Sequence, residues 1–294
     1  MAISYRYHVG SLLAVFLALL LGILVGIGLT SRPEEFEQRL ADLRGELNQE
    51  TESHNQDIAE KEQQLREQQA LSKEAVAMVV AGRLSGKRVA IILDHDFGHD
   101  RFPDGLRALM AQAGATLTST TTITQDFVTL PVAVKDKVAR RLLLYPPPGM
   151  HFRSAIAEAF ARDMARGRPG MIAELRDAGL LRSAAGSDYS TPVDAVVVVG
   201  GLNNTADASV ERIDLPLIDT FGKERVRVVG CESATAQVSC IAAYEPKGIP
   251  TVDNADTLAG RMALVLALAG ADGNFGVKET AQRLVPQAPP PRGR

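Results

Sequence analysis

The chain of 294 residues has no tryptophan, only two cysteines and a formal net charge of −3 at pH 7. Two cysteines are too few to hold a disulfide-rich domain together, and the charge argues against a nucleic-acid partner. The sequence also lacks the Walker phosphate-binding motif and the G-x-S-x-G motif of serine hydrolases. These absences exclude a disulfide scaffold and leave no motif for a nucleotide hydrolase or an esterase.

One long apolar run is present, at residues 9–30, and it contains no ionisable side chain. A helix of about 20 such residues crosses the roughly 30 Å hydrocarbon core of a bilayer. The run is longer than the apolar part of a signal peptide and no A-x-A-like site follows it, so an uncleaved signal-anchor is favoured over a cleaved signal. Lysine and arginine near the run are too few to set its orientation. The sequence therefore predicts one membrane anchor, and a single helix cannot enclose a pore.

The anchor carries a small residue at every fourth position. Positions four apart lie on one face of a helix, and small residues there allow two membrane helices to approach closely. Glycine and alanine are common in membrane helices, so some matches are expected in any case. We predict a helix-packing face formed by Gly10, Ala14, Ala18, Gly22 and Gly26.

Residues 33–80 are polar, with apolar residues at the 4-3-4 spacing of a coiled-coil seam. The first part of this seam consists of Phe36, Leu40, Leu43 and Leu47. The next apolar residue, Ile58, follows after 11 positions, which is a stutter in the heptad repeat. A seam directly after a small-residue membrane face predicts a parallel dimer; the alternative is one solvated helix without a partner.

The rest of the chain alternates continuous apolar strands with helices, a pattern typical of a mainly parallel, two-sided sheet. We predict an α/β fold with a Rossmann-like sheet flanked by helices. The roughly five strands recognisable in the sequence are too few for an outer-membrane barrel, which needs at least about eight. The predicted segments are a short N-terminal flank (1–8), a transmembrane helix (9–30), a coiled-coil stalk (33–80), an α/β domain (87–285) and a Pro-rich tail (286–294).

Two groups of residues are weak candidates for metal ligands. The segment DHDFGHD at 94–100 follows the first strand and contains His95 and His99. It could hold a divalent metal or serve an enzyme, but the interpretation we prefer is a solvated loop before an acidic helix start. Cys231 and Cys240 could be soft Cu(I) ligands, a disulfide, or two unrelated buried cysteines.

Five stretches of the sequence resemble one bacterial family. They are HVGSLLAVFLALLLGILVGIGL, GKRVAIIL, AGATLTSTTTITQDF, DAVVVVGGLN and IPTVDNADTLAGRMALVLALAGADGNFGV, and the last is the most specific. Their order and coverage resemble the family named after mycobacterial copper transport protein B (MctB), which is also represented by a corynebacterial cell-separation membrane protein.

The resemblance implies a single-pass anchor in the cell membrane, a coiled-coil stalk, an extracytoplasmic α/β domain and a link to copper homeostasis. It assigns no individual metal ligand, so copper is an implied ligand without a defined site. Three functions remain open: a membrane-anchored, non-enzymatic copper-homeostasis protein, a dimeric scaffold that docks envelope or cell-division proteins, and an enzyme that uses the 94–100 loop.

Overall fold

The computed structural model describes residues 5–29, 33–98, 100–201 and 209–287. The chain forms two compact units, residues 1–69 and 70–294. In order, the helices are α1 (Tyr5–Leu29), α2 (Pro33–Val80), α3 (Phe102–Gln112), α4 (Gln125–Thr129), α5 (Val132–Leu142), α6 (Phe152–Arg166), α7 (Pro169–Asp177), α8 (Leu215–Lys223), α9 (Ile241–Tyr244) and α10 (Leu258–Leu268). The strands are β1 (Arg88–Leu93), β2 (Thr116–Ile123), β3 (Leu181–Ser183), β4 (Ala195–Val199), β5 (Arg227–Cys231), β6 (Thr251–Val252) and β7 (Asn274–Phe275).

The first unit contains α1 and most of α2. In α1, the window Val9–Gly26 has a mean hydropathy of 2.7, and its side chains are exposed, so this helix is long and apolar enough to cross a membrane. The predicted packing face is open as well, because a methyl group added at Gly10 or Gly22 would meet nothing within 4 Å. Space for a neighbouring helix is therefore present beside Gly10 and Gly22.

Helix α2 is continuous over 48 residues, and its apolar seam is exposed. The side chains of Leu40, Leu43 and Leu47 are 41–60% accessible. Phe36 lies in the same helix, but its side chain falls outside the described residues. The coiled-coil dimer stays a prediction, with its seam available to a second copy.

The second unit is built on one seven-stranded sheet with the order β3-β2-β1-β4-β5-β6-β7. All neighbouring pairs are parallel except β2 and β3, which are antiparallel. The sheet is open, with β3 and β7 at its two edges. The predicted α/β class with a mainly parallel sheet is confirmed; β3 and β7, which have three and two residues, were too short for the sequence pattern to reveal.

Both faces of the sheet are buried, because side chains alternate along each strand. In β1, Ala90 and Ile92 pack in the core beneath α6 and α8, whereas Val89 and Ile91 pack in the core beneath α3 and α10. Helix α10 is apolar on nearly all sides (LAGRMALVLAL) and is buried in the second of these cores. Because helices cover both faces of the sheet, its strands are apolar at consecutive positions.

The start of α10 depends on a close approach between two backbone segments. Thr257 caps the helix, since its Oγ1 accepts a hydrogen bond of 3.1 Å from the Gly260 amide. A Cβ atom added at Gly260 would lie 1.9 Å from the carbonyl oxygen of Asn254. Only glycine fits this position without a backbone shift.

We expect Gly260→Ala to lower the thermal unfolding midpoint, because overpacking against backbone costs about 1–3 kcal/mol. The matched control is Gly222→Ala in α8, where the new methyl group would meet nothing within 4 Å. Alanine there should be neutral or stabilising by about 0.5 kcal/mol, since it has the higher helix propensity. Thermal unfolding of both variants in detergent checks this, and equal midpoints would contradict the close approach.

Candidate functional site

The carboxyl ends of β1 and β4 meet at the point where the strand order reverses. The chain leaves β1 towards β2 on one side and later returns to β4 on the other side. Ligands of doubly wound folds bind in the crevice at such a switch point. In this chain the strands β1, β4 and β5 are followed there by Asp94-His95, Gly200-Gly201 and Glu232 respectively.

Asp94 and His95 form a dyad at the end of β1. The Asp94 carboxylate is buried, and its Oδ1 accepts a short hydrogen bond from Nδ1 of His95. The imidazole is 21% exposed and stacks on Phe97, with 4.0 Å between ring centroids. Because Nδ1 carries the proton that Asp94 accepts, Nε2 carries the free lone pair. Histidine ligands in metal sites are oriented in the same way, through a carboxylate on the opposite ring nitrogen.

A second carboxylate, Asp214, lies fully buried behind the dyad, at the end of a π-helical turn, Val210–Asp214. The Tyr244 hydroxyl donates a 2.5 Å hydrogen bond to its Oδ2, whereas its Oδ1 has no hydrogen-bond partner among the described residues. Burial raises the pKa of Asp214, and the negative charge of Asp94 raises it further. Burial also raises the pKa of Asp94, and the hydrogen bond from His95 offsets this only in part. Both carboxyl groups are thus shifted towards the protonated form.

Glu232 is the third buried carboxylate, and it is fully hydrogen-bonded. Its Oε1 accepts from Ser239 Oγ at 2.7 Å and from Lys278 Nζ at 2.5 Å. Its Oε2 accepts from the Cys240 amide at 2.9 Å and from the Cys240 thiol at 3.3 Å. The ion pair with Lys278 balances the charge of this carboxylate.

The crevice itself is filled by side chains of this protein. A Cβ atom at Gly200 would lie 2.5 Å from the Cys240 sulfur, 3.0 Å from the Tyr244 hydroxyl and 3.1 Å from Asp94 Oδ2. The three groups therefore converge on the backbone of Gly200, where other doubly wound folds receive a phosphate. Among the described residues, this packing places buried polar groups at the switch point of the sheet.

The structure does not bring the two cysteines together. Cys231 belongs to the core beneath α3 and α10, and Cys240 to the core on the opposite face of the sheet. Both are free and buried. Burial, followed by the charge of Glu232, raises the pKa of both thiols. Because a soft metal is bound by the thiolate, these protonated thiols are poor Cu(I) ligands in this conformation.

Of the two candidate histidines, the structure describes only His95, since His99 lies outside the described residues. No group of three or more His, Cys, Asp or Glu side chains in the described part of the chain is arranged to hold a metal ion. Asp96 of the same loop instead pairs with Arg182 at 2.8 Å. The dyad therefore offers one oriented imidazole rather than a complete coordination sphere.

Several residues of the cluster were not predicted from the sequence. Glu232 directly follows an apolar strand, a signal that could have identified it. Asp214, Tyr244 and Lys278 lie far apart in the sequence and carry no motif. They meet because α8, α9 and the segment after β7 are all connected to the same edge of the sheet.

Residues 2–286 match the family model described as "Copper transport outer membrane protein, MctB". The chain belongs to this MctB family. It is 25% identical over 299 residues to the protein described as "Copper transporter MctB" from Mycobacterium bovis, with 90% of this chain and 92% of the relative covered. The same values apply to the protein of that name from two strains of Mycobacterium tuberculosis. The resemblance expected from the sequence is thereby confirmed.

The raised pKa of Asp214 makes the stability of this MctB-family protein depend on pH. Between the unfolded and the folded pKa, the unfolded chain releases a proton that the native state retains, so native stability falls as pH rises. We expect Asp214→Asn, which keeps an oxygen acceptor for Tyr244, to remove part of this loss of stability at higher pH. Its unfolding midpoint relative to the native sequence should rise as the pH increases above about 4, the ordinary pKa of an aspartate.

The control is Asp219→Asn in the adjoining helix α8, because Asp219 forms a half-exposed ion pair of 2.7 Å with Lys247. Its effect on the midpoint should be small across this range, as for most surface ion pairs. If Asp214→Asn and Asp219→Asn show the same pH profile, the buried proton on Asp214 is refuted.

Proposed function

We propose that this MctB-family protein is a membrane-anchored, non-enzymatic protein that takes part in copper transport from the extracytoplasmic side. The match to the family model over residues 2–286, together with relatives described as copper transporters, carries this proposal. The apolar helix α1 supports the anchoring, because it meets the length and hydropathy requirement of a membrane span. The extracytoplasmic location rests on the family resemblance.

Within this function, we infer that copper is bound or handed over rather than conducted through this chain. The sheet is open, and packed side chains bury both of its faces. The α/β unit therefore contains a filled core, and α1 is the single membrane-span candidate among the described residues. Binding or assembly with other envelope proteins fits this architecture better than a pore does.

His95 is the copper contact that the geometry supports best. Imidazole suits copper, the ring is partly exposed, and the hydrogen bond to Asp94 directs the Nε2 lone pair away from the protein. The thiols of Cys231 and Cys240 are buried and protonated, so they compete poorly. A copper ion at His95 would complete its coordination with water or with ligands of a partner.

The partner proposed here is a second copy of the chain. The small-residue face of α1 and the seam of α2 are both open in the described residues, and both suit a parallel helix pair. The alternative is a scaffold that docks envelope or cell-division proteins. Such a scaffold would use the same dimer and would need no metal.

Copper binding can be tested on the full-length protein in detergent. A ligand at a hundredfold excess over its Kd stabilises the native state by about 2.7 kcal/mol, so Cu²⁺ should raise the unfolding midpoint. We expect His95→Asn to abolish this shift, because the asparagine amide retains a donor for Asp94 but removes the Nε2 lone pair. The control His151→Asn, placed just before α6, should keep it.

A shift that survives in His95→Asn would refute the assignment of His95. If the shift is lost only in the double variant Cys231→Ser and Cys240→Ser, the copper site would lie at the thiols after a conformational change. If Cu²⁺ does not shift the unfolding midpoint of the native protein, the proposal of direct copper binding is refuted and the scaffold is the remaining hypothesis.

Dimerisation can be tested independently of copper. We expect replacing Leu40, Leu43 and Leu47 with Asp to yield monomers, because six charges would face one another in the seam of a dimer. The control places three aspartates outside the seam, at Gln38, Ala41 and Asn48. Sedimentation or crosslinking in detergent distinguishes the two, and a native chain that is already monomeric would refute the seam.

A further inference from the structure

A second polar feature lies on the other half of the sheet, beside β2. This strand has the sequence TLTSTTTI, and its residues from Thr118 onward are buried. The edge strand β3 pairs only with residues 121–123. Beyond β3, the segment Ala184–Ser187 turns away from β2 and the chain returns where the Asp188 amide donates to the Thr118 carbonyl at 2.7 Å. The turn leaves a cavity of about 220 Å³ between itself, β2 and α3.

Two hydroxyl groups at this cavity lack a hydrogen-bond partner. Ser119 Oγ and Thr120 Oγ1 are buried, with 2% and 4% of each residue exposed, and neither has a partner among the described residues. Buried polar groups in native proteins are almost always hydrogen-bonded, so such exceptions point to an absent water, ion or ligand. Both residues line the cavity, but Ser119 lies opposite Ala90, whose side chain packs in the core beneath α6, so only the Thr120 hydroxyl is on the α3 face of the sheet.

A bulge in β2 directs Thr120 towards α3. The pairing with β1 shifts by one residue between Val89 and Ala90, which leaves Thr118 as the extra residue of β2. After this shift Thr120 lies opposite Ile91, whose side chain packs in the core beneath α3. β-Bulges reorient side chains in this way and are frequent beside binding sites. Without the bulge, Thr120 would face the opposite core.

Helix α3 contributes a cation to the same cavity. Arg107 lines it and donates to Asp104 through Nη2. No other hydrogen bond of its guanidinium occurs among the described residues, so Nε and Nη1 remain as donors. A guanidinium beside a hydroxyl donor is complementary to a carboxylate, sulfate or phosphate group, since each of these offers several acceptor oxygens. A cation would be repelled there, and an apolar ligand would leave the Thr120 hydroxyl unpaired.

We propose that this cavity binds a small oxyanion between the Arg107 guanidinium and the Thr120 hydroxyl. The turn Ala184–Ser187 forms a further wall of the cavity. This anion site lies beside β2 and α3 and involves none of the residues assigned to copper.

The test uses the full-length protein in detergent, titrated separately with inorganic phosphate, sulfate and acetate at constant ionic strength set by chloride. Calorimetry should show saturable binding of at least one of these ions. Arg107→Gln should weaken it about tenfold or more, because it removes a charge-assisted hydrogen bond. The control Arg141→Gln removes an arginine that pairs with Glu174 at 2.8 Å on the surface and should bind normally.

Thr120→Val separates a binding role from a folding role. It replaces an unpartnered buried hydroxyl by a methyl group of similar shape, so the ion-free variant should unfold at the same or a higher temperature. The same variant should no longer show saturable binding of phosphate or sulfate in the calorimetric titration. The proposal would be overturned if Thr120→Val and Arg107→Gln both bound the ions as the native protein does. It would also be overturned if the native protein showed no saturable binding of any of the three ions. In either case water would be the occupant of the cavity.

Discussion

The buried carboxylate of Glu232 is the contact on which the carboxyl edge of the sheet depends. It is fully inaccessible, and four groups from two separate parts of the chain donate to it, Lys278 among them. Removing one partner of a buried ion pair typically costs about 3–5 kcal/mol, because the other charge is left uncompensated. The segment after β7 is fixed by this pair and by Asp253, whose two carboxylate oxygens accept the amides of Val277 and Lys278. The positions of Cys240 and Tyr244 over Gly200 follow from the same anchoring.

Buried polar groups gather at the switch point of the sheet. The Tyr244 hydroxyl donates to Asp214, His95 is hydrogen-bonded to Asp94, and burial raises the pKa of both carboxyl groups. The partly exposed imidazole of His95 is the outermost of these groups.

The features predictable from the sequence were those carried by a local pattern. The long apolar run, the polar helix after it, the strands β1 and β4 and the helices α3 and α10 all have a clear period or composition. Strands of two or three residues have no period, and β3 further departs from the parallel rule because the chain turns back beside β2. His95 was recognisable because it directly follows a strand. Asp214 was not, since its role depends on contacts with Tyr244 and Asp94, residues distant in the sequence.

The placement of the two thiols also bears on how the chain matures. Cys231 and Cys240 are buried on opposite faces of the sheet, so the native state neither forms a disulfide between them nor presents either to an oxidant. Thiol oxidation requires both access and thiolate character, and each cysteine lacks both. The native fold therefore needs no disulfide, and its own packing protects both thiols from oxidation. A mixed disulfide trapped on either cysteine would mark a chain that has not finished folding.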